Sequence, residues 1–186
     1  QSVMIDASQK SFEDNIAITR EVVEYAHAKN VEVEAELGKI GATDKIETDN
    51  DESLYTDPAE AEEFVARTGV DTLAVSIGTA HGVYPVKNPK IDLERLAQIR
   101  KRVSIPLVLH GGSGLPPETV QAAITIPGGG VSKINIATDL EQAFLGSLGC
   151  QRKTNREIWQ MDEKALAEAA EAVQRVVVDK ITNFLL

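Results

Sequence analysis

Apolar positions along the chain alternate between two periods. Ser2-Val-Met-Ile-Asp6 reads as a strand with an acid at its end, and Phe12, Ile16, Thr19, Val22, Val23 and Ala26 recur at helical spacing over 12–29. Ser11 stands where an N-cap belongs, with Asp14 three residues on. Val31-Glu-Val-Glu-Ala-Glu36-Leu37 alternates as a strand does, and 39–55 is polar and acidic, a long loop of the kind that covers active sites. Thr56-Asp57-Pro58 opens a helix that closes near Thr68-Gly69. Thr72 to Ile77 is a strand, closed by Gly78-Thr-Ala-His81-Gly82, and Leu93, Leu96, Ile99 and Val103 mark the next helix. Ile105-Pro-Leu-Val-Leu109 is a short unbroken apolar run, which suits a parallel strand covered on both faces. A helix follows from about Pro117, and Pro127 with three glycines interrupts the chain. Ser132 to Ala137 is a fifth strand, leading at once into a helix from Thr138 to about Leu148. An irregular polar link, 149–160, precedes a long helix from Asp162 to Leu186 whose inward positions are Ala165, Ala169, Val173, Val176, Val177 and Ile181.

Strand and helix thus alternate five times, with one further helix. Such alternation implies a parallel sheet with right-handed crossovers in an α/β fold. It suits an open doubly wound sheet or part of an eight-stranded barrel. The whole 186-residue chain reads as a single domain. It opens on Gln1 directly before an apolar run, with no cap or lead-in, as expected of a start inside a domain.

Composition narrows the partners. A net charge of −10 and a pI near 4.8 speak against a large nucleic-acid surface. No apolar run approaches the length of a membrane span, and no signal peptide appears at the start. Cys150 is the only cysteine, so no intramolecular disulfide forms, which favours a reducing, cytoplasmic setting.

Chemistry collects where the strands end, at Asp6, Glu36, His81, His110 and Asn135. In parallel α/β folds that edge holds the active site. His81 and His110 each stand beside glycine, with two carboxylates at matching positions. Imidazole with carboxylate suits zinc, cobalt or manganese. A third protein ligand is needed, and Asp6 and Glu36 are the internal candidates. His27, by contrast, falls on a helix face. Gly111-Gly112-Ser113-Gly114 follows His110, and Asn135-Ile136-Ala137-Thr138-Asp139 ends the next strand. Thr138 is placed to cap the following helix, whose first N–H groups would face the same pocket. In (β/α)8 barrels a phosphate site commonly lies in the loops after strands seven and eight. Counted backward from these loops, the five strands are four to eight of such a barrel.

Ser2-Val-Met-Ile-Asp-Ala-Ser8, Val33-Glu-Ala-Glu-Leu-Gly38, Ala74-Val-Ser-Ile-Gly-Thr-Ala-His-Gly82, Leu107-Val-Leu-His-Gly-Gly-Ser-Gly114 and Lys133-Ile-Asn-Ile-Ala-Thr-Asp-Leu140, in this order, resemble the class II, metal-dependent ketose-bisphosphate aldolases. The resemblance implies a (β/α)8 TIM barrel, of which this chain holds strands four to eight plus a C-terminal helix. It implies reversible aldol cleavage of a ketose 1,6-bisphosphate to dihydroxyacetone phosphate and an aldehyde, glyceraldehyde 3-phosphate. It implies a Zn2+ cofactor, with His81 and His110 as two of three zinc histidines and Asp6 and Glu36 as carboxylates that hold the metal in an inner position. Gly82, Gly111, Gly112, Ser113, Asn135, Ile136, Ala137 and Thr138 would form the dihydroxyacetone phosphate pocket. A homodimer or homotetramer is expected from the same source.

The sequence departs from the family pattern in places. The His-Leu-Asp-His segment, which carries the third zinc histidine and the proton-donating aspartate, is absent, so this chain alone is expected to be inactive. The loop after Glu36 offers Asp44, or Glu47 after a shift, where the family has the glutamate that handles the enediolate proton. Asp162-Glu163-Lys164 stands where the family has Asp-Pro-Arg, whose arginine grips the distal phosphate. This leaves two alternatives in play: an aldolase-like enzyme on another phosphosugar, and a non-catalytic phosphate-binding half-barrel.

Overall fold

The computed structural model describes residues 1–42, 54–84 and 89–185. In chain order the elements are β1 (Ser2–Ile5), α1 (Phe12–His27), β2 (Glu32–Leu37), β3 (Gly41–Ala42), α2 (Pro58–Thr68), β4 (Thr72–Val75), β5 (Ala80–His81) and α3 (Leu93–Arg102). They continue with β6 (Leu107–Leu109), α4 (Pro117–Ile124), β7 (Val131–Ile134), α5 (Thr138–Ser147), α6 (Asn155–Trp159), α7 (Glu163–Lys180) and a π-helical turn, Ile181–Leu185.

The helix starts follow local chemistry. The Ser11 hydroxyl accepts the Asp14 N–H, and Asp57 accepts the N–H groups of Ala59 and Glu60. Helix α2 stops at Gly69, which takes φ 71, a left-handed conformation that glycine adopts without steric cost.

Five parallel strands form the main sheet, in the order β1-β2-β4-β6-β7, and β3 pairs with β5 in a separate two-stranded ribbon. Each strand of the main sheet lies beside its neighbour in sequence, with no reversal. A doubly wound sheet would reverse at a switch point. The order is therefore that of a barrel wall, and the chain is an arc of a (β/α)8 barrel.

Side chains show the curvature. Lys133 on β7 reaches Glu34 on β2 with Nζ 2.7 Å from Oε2, although β4 and β6 lie between those strands. On a flat sheet, three strand spacings of about 4.8 Å would hold the two backbones roughly 14 Å apart. Across a curled sheet, both side chains lie on the concave side and meet. The β6–β7 register also shifts by a residue, Leu107 facing Val131 and Val108 facing Lys133, so Ser132 is skipped.

Leu73, Val75, Leu107, Leu109 and Val33 are fully buried with Phe64, Leu96, Ile99 and Val120 from the helices. They form the layer between sheet and helices that fixes the strand ends in place.

Several expectations are corrected. Thr138 is the first residue of α5 rather than its cap; Ala137 is the N-cap, and no side chain bonds to the helix start there. The link 149–160 contains α6, opened by a reciprocal capping box between Thr154 and Glu157. Val177 and Ile181 are exposed rather than inward. They border an open apolar cavity of about 560 Å³ shared with Ile134, Ile136, Leu140 and Phe184, where β7 ends the sheet.

Candidate active site

The alternation on β2 puts Glu34 and Glu36 on one face of the strand. Glu32, at the start of the same strand, is exposed, whereas Glu34 and Glu36 are both buried. They converge on His110, at the end of β6. Its Nε2 is 3.0 Å from Glu34 Oε1 and its Nδ1 is 2.8 Å from Glu36 Oε2. Both ring nitrogens face carboxylate oxygens, and the doubly protonated ring donates to both. Burial alone would push the His110 pKa down, but the hydrogen bonds and charges of Glu34 and Glu36 raise it to about 9. Burial likewise pushes Glu34 up, and the His110 and Lys133 hydrogen bonds and charges bring it below the usual carboxylate range. Two acids and two cations thus balance in one network.

A polar shell supports it. The Ser8 hydroxyl lies 2.7 Å from Asp6 Oδ1 and 3.2 Å from Glu36 Oε1. Asn15 Nδ2 donates to the Glu36 carbonyl at 3.0 Å, and the Thr19 hydroxyl donates to Asn15 Oδ1 at 3.1 Å. These bonds satisfy polar atoms at the buried end of β2.

His81, on β5, is exposed and faces His110, the ring centroids 5.8 Å apart at 39°. Tyr84 locks the two loops that carry these histidines. Its hydroxyl accepts the Ala80 N–H at 2.8 Å and donates to the Gly111 carbonyl at 2.9 Å. Burial raises the Tyr84 pKa to about 12, so it remains a donor.

A cavity of about 290 Å³ opens beside this pair, lined by Gly82, Val83, Tyr84, Ser113, Gly114, Thr138, Asp139 and Gln142. The loops after β6 and β7 are stitched together across it. The Asp139 N–H donates to Ser113 Oγ at 3.2 Å, and the Gly114 N–H donates to Asp139 Oδ2 at 3.1 Å. The N-terminus of α5 belongs to the same wall, a position that favours anions.

The predicted residues divide accordingly. Gly82, Ser113 and Thr138 share the cavity. Gly111 and Gly112 are required by packing. A Cβ on Gly111, at φ +67, would stand 2.4 Å from the Ala80 carbonyl oxygen, and one on Gly112 would stand 2.5 Å from Ile134 Cγ2. The Gly112 N–H is engaged by the Asn135 carbonyl at 2.9 Å, and Asn135 donates its own N–H to Leu109. Asn135, Ile136 and Ala137 lie between β7 and α5, outside the residues that line the cavity. Asp6, Glu36 and His110 join one hydrogen-bonded chain. Asp44 and Glu47 lie outside the described residues. Glu34, Lys133, Ser8, Asn15 and Tyr84 are participants that the sequence reading missed.

The donor set does not fit a metal as it is arranged. Among the described residues no group of three His, Cys, Asp or Glu side chains is placed to hold one. His110 has both nitrogens committed to carboxylates. A metal there would have to displace one of them and draw in a further donor. Of the expected set, Asp6, Glu36 and His110 lie in one hydrogen-bonded cluster, with His81 beside it.

Asp162 and Lys164 are also placed. Asp162 caps α7 by accepting the Ala165 N–H, and Lys164 is 86% exposed, 3.9 Å from Glu168.

Known proteins share this fold. The family model for fructose-bisphosphate aldolase class II matches residues 1–185. The YdjI aldolase of Escherichia coli K12 superposes with a TM-score of 0.77 at 39% identity, covering 99% of this chain and 61% of that one. A fructose-bisphosphate aldolase of Campylobacter jejuni superposes at 0.69 with 26% identity, covering 98% of this chain and 60% of that one. The chain spans about three fifths of the length of these structures. Among the described residues no helix is long and apolar enough to cross a membrane. With a match along nearly its whole length, a barrel-wall strand order and the histidine-bearing loops at one sheet edge, the chain belongs to the class II fructose-bisphosphate aldolase family.

Proposed function

We propose that this chain carries the phosphate-binding half of an aldolase that cleaves a phosphorylated ketose to dihydroxyacetone phosphate and an aldehyde. The observation that carries this reading is the cavity in which Gly82, Ser113 and Thr138 meet beside the His81–His110 pair. In aldol cleavage a base takes the proton of the C4 hydroxyl, the C3–C4 bond breaks, and its electrons pass to the C2 carbonyl as an enediolate. This chain's share is binding and orientation. The cavity wall and the α5 N-terminus take the phosphate. His81 stands exposed at the adjoining edge, where it can meet the sugar. Stitched loops and the Tyr84 lock hold that geometry, so that little order has to be created on binding. Zinc is part of the resemblance, and no step here is assigned to it because the described donors do not fit it. The phosphosugar is the proposed partner, with assembly into a dimer or tetramer and a cytoplasmic setting proposed on the resemblance and cysteine usage.

A second reading, an aldolase on a different phosphosugar, is favoured by the far end of the site. Asp162 serves as a helix cap and Lys164 is exposed and 3.9 Å from Glu168, which supports a grip on the far end of the sugar different from that of the family's arginine.

Release of dihydroxyacetone phosphate from fructose and tagatose 1,6-bisphosphates, with and without chelator and with the intact mass recorded, tests both readings. Release supports the bisphosphate reading and the faster sugar names the substrate. Binding of dihydroxyacetone phosphate without release, at the mass of these 186 residues, places cleavage in the part of the fold that the chain does not span. The absence of both binding and release would contradict the proposal.

A further inference from the structure

We infer that Lys180 is a positioning residue for the phosphate pocket, its ammonium neutralising the Asp139 carboxylate that stitches the pocket's loops together. The inference rests on the phosphate reading above and concerns a residue some forty positions further along the chain. Asp139 is at once useful and harmful at this place. Its Oδ2 accepts the Gly114 N–H at 3.1 Å while its own N–H donates to Ser113 Oγ at 3.2 Å, a reciprocal pair that sets the spacing of the two loops. The same side chain borders the cavity that would hold the phosphate. A bare carboxylate there repels the anion it helps to house.

Lys180, the last residue of α7, removes the conflict. Its Nζ lies 2.7 Å from that same Oδ2, and the two side chains are only 17% and 20% exposed, so water screens the pair poorly. The ammonium is steadied over the ring of buried Phe184, 4.6 Å from its centroid. Lys180 borders the neighbouring apolar cavity rather than the phosphate cavity. It therefore acts through Asp139 and not as a phosphate ligand. The C-terminal helix thereby supplies the charge that makes the pocket receptive.

The test is calorimetric titration of the full chain with dihydroxyacetone phosphate, circular dichroism confirming the fold of each variant. Lys180→Met is expected to weaken binding about tenfold, the effect of one uncompensated charge at close range. Lys180→Arg should bind as the parent does. The sign of the double variant separates charge from mere tethering. Lys180→Met with Asp139→Asn should regain most of the affinity, because asparagine still accepts the Gly114 N–H without repelling phosphate. Asp139→Asn alone should bind at least as tightly as the parent, which decides the matter should Lys180→Met fail to fold. Unchanged affinity in Lys180→Met, no recovery in the double variant, or weaker binding by Asp139→Asn alone would each overturn the role of Lys180. A parent chain that does not bind at all overturns the phosphate reading itself and this inference with it.

Discussion

His110 Nε2 and Glu34 Oε1 lie 3.0 Å apart inside the barrel wall, and Glu36 closes on the other ring nitrogen at 2.8 Å. This clamp joins β2 to β6 across β4. Its strength depends on a proton that the isolated ring would largely lose near neutrality.

That dependence gives stability a pH profile in chelated buffer. The folded pKa of His110 is raised from 6.5 to about 9, so its contribution is complete below 6.5 and is lost as pH climbs through 9. Glu34 is shifted below 4.5, so its contribution is present above 4.5 and fades as pH falls below that value. The melting temperature should therefore be highest between pH 4.5 and 6.5 and decline toward pH 9. Glu34→Gln should flatten the alkaline decline in thermal scans; an unchanged slope in that variant would contradict the clamp.

Tyr84→Phe removes one hydroxyl and strands two backbone groups, the Ala80 N–H and the Gly111 carbonyl. The expected loss is about 1–3 kcal/mol in urea unfolding. Affinity for dihydroxyacetone phosphate should fall as well, since the lock sets the distance between the histidine loops. A variant as stable as the parent would show that water or a neighbour replaces the hydroxyl.

Zinc is expected to stay loosely held by this chain. With His110 committed to two carboxylates and no triad of donors among the described residues, dialysis against zinc followed by gel filtration should leave less than stoichiometric metal. Chelator should leave the melting temperature unmoved. A tightly held equivalent of zinc would mean that the clamp opens readily and that a further donor swings in.

The apolar face beside β7 has its own consequence. Val177, Ile181 and Leu185 are 37%, 46% and 62% exposed along one cavity edge. At the other end of the sheet, Val3 and Met4 on β1 are 44% and 45% exposed. Such surface binds apolar dyes and promotes association. Ile181→Lys should reduce both dye fluorescence and concentration-dependent light scattering, with no loss of helical signal. No change in either would show that this face is not the sticky one.

The architecture was legible because strand and helix periods alternate and because glycine or histidine follows the strands that end at Leu37, Ile77 and Leu109. Strand order could not be read from periodicity, and it is the contact order β1-β2-β4-β6-β7 that excludes a doubly wound sheet. Loop chemistry points to Ser113 and Thr138, and the two line one cavity with Gly82. For Gly111 and Gly112 the sequence does not show the packing requirement, because glycine in a loop looks the same whether it approaches a ligand or another strand's backbone and side chains, and here both meet close neighbours. Glu34 was missed although the signal was present. In the alternating Val-Glu-Val-Glu-Ala-Glu run, Glu34 shares its face with Glu36, whose place at the strand end marks it as a site candidate. Lys133 had no local signal, since its partner lies 99 positions away, and the Tyr84 bond that ties the two loops spans 27. Val177 and Ile181 fitted a helical stripe, but periodicity names a face and not what covers it.

The most direct measurement is a ¹⁵N-labelled titration of the chain with dihydroxyacetone phosphate, followed amide by amide. The account predicts saturable shifts at Gly82, Ser113, Gly114, Thr138 and Asp139, reduced in Lys180→Met. Shifts confined to other regions, or none at millimolar ligand, would contradict it.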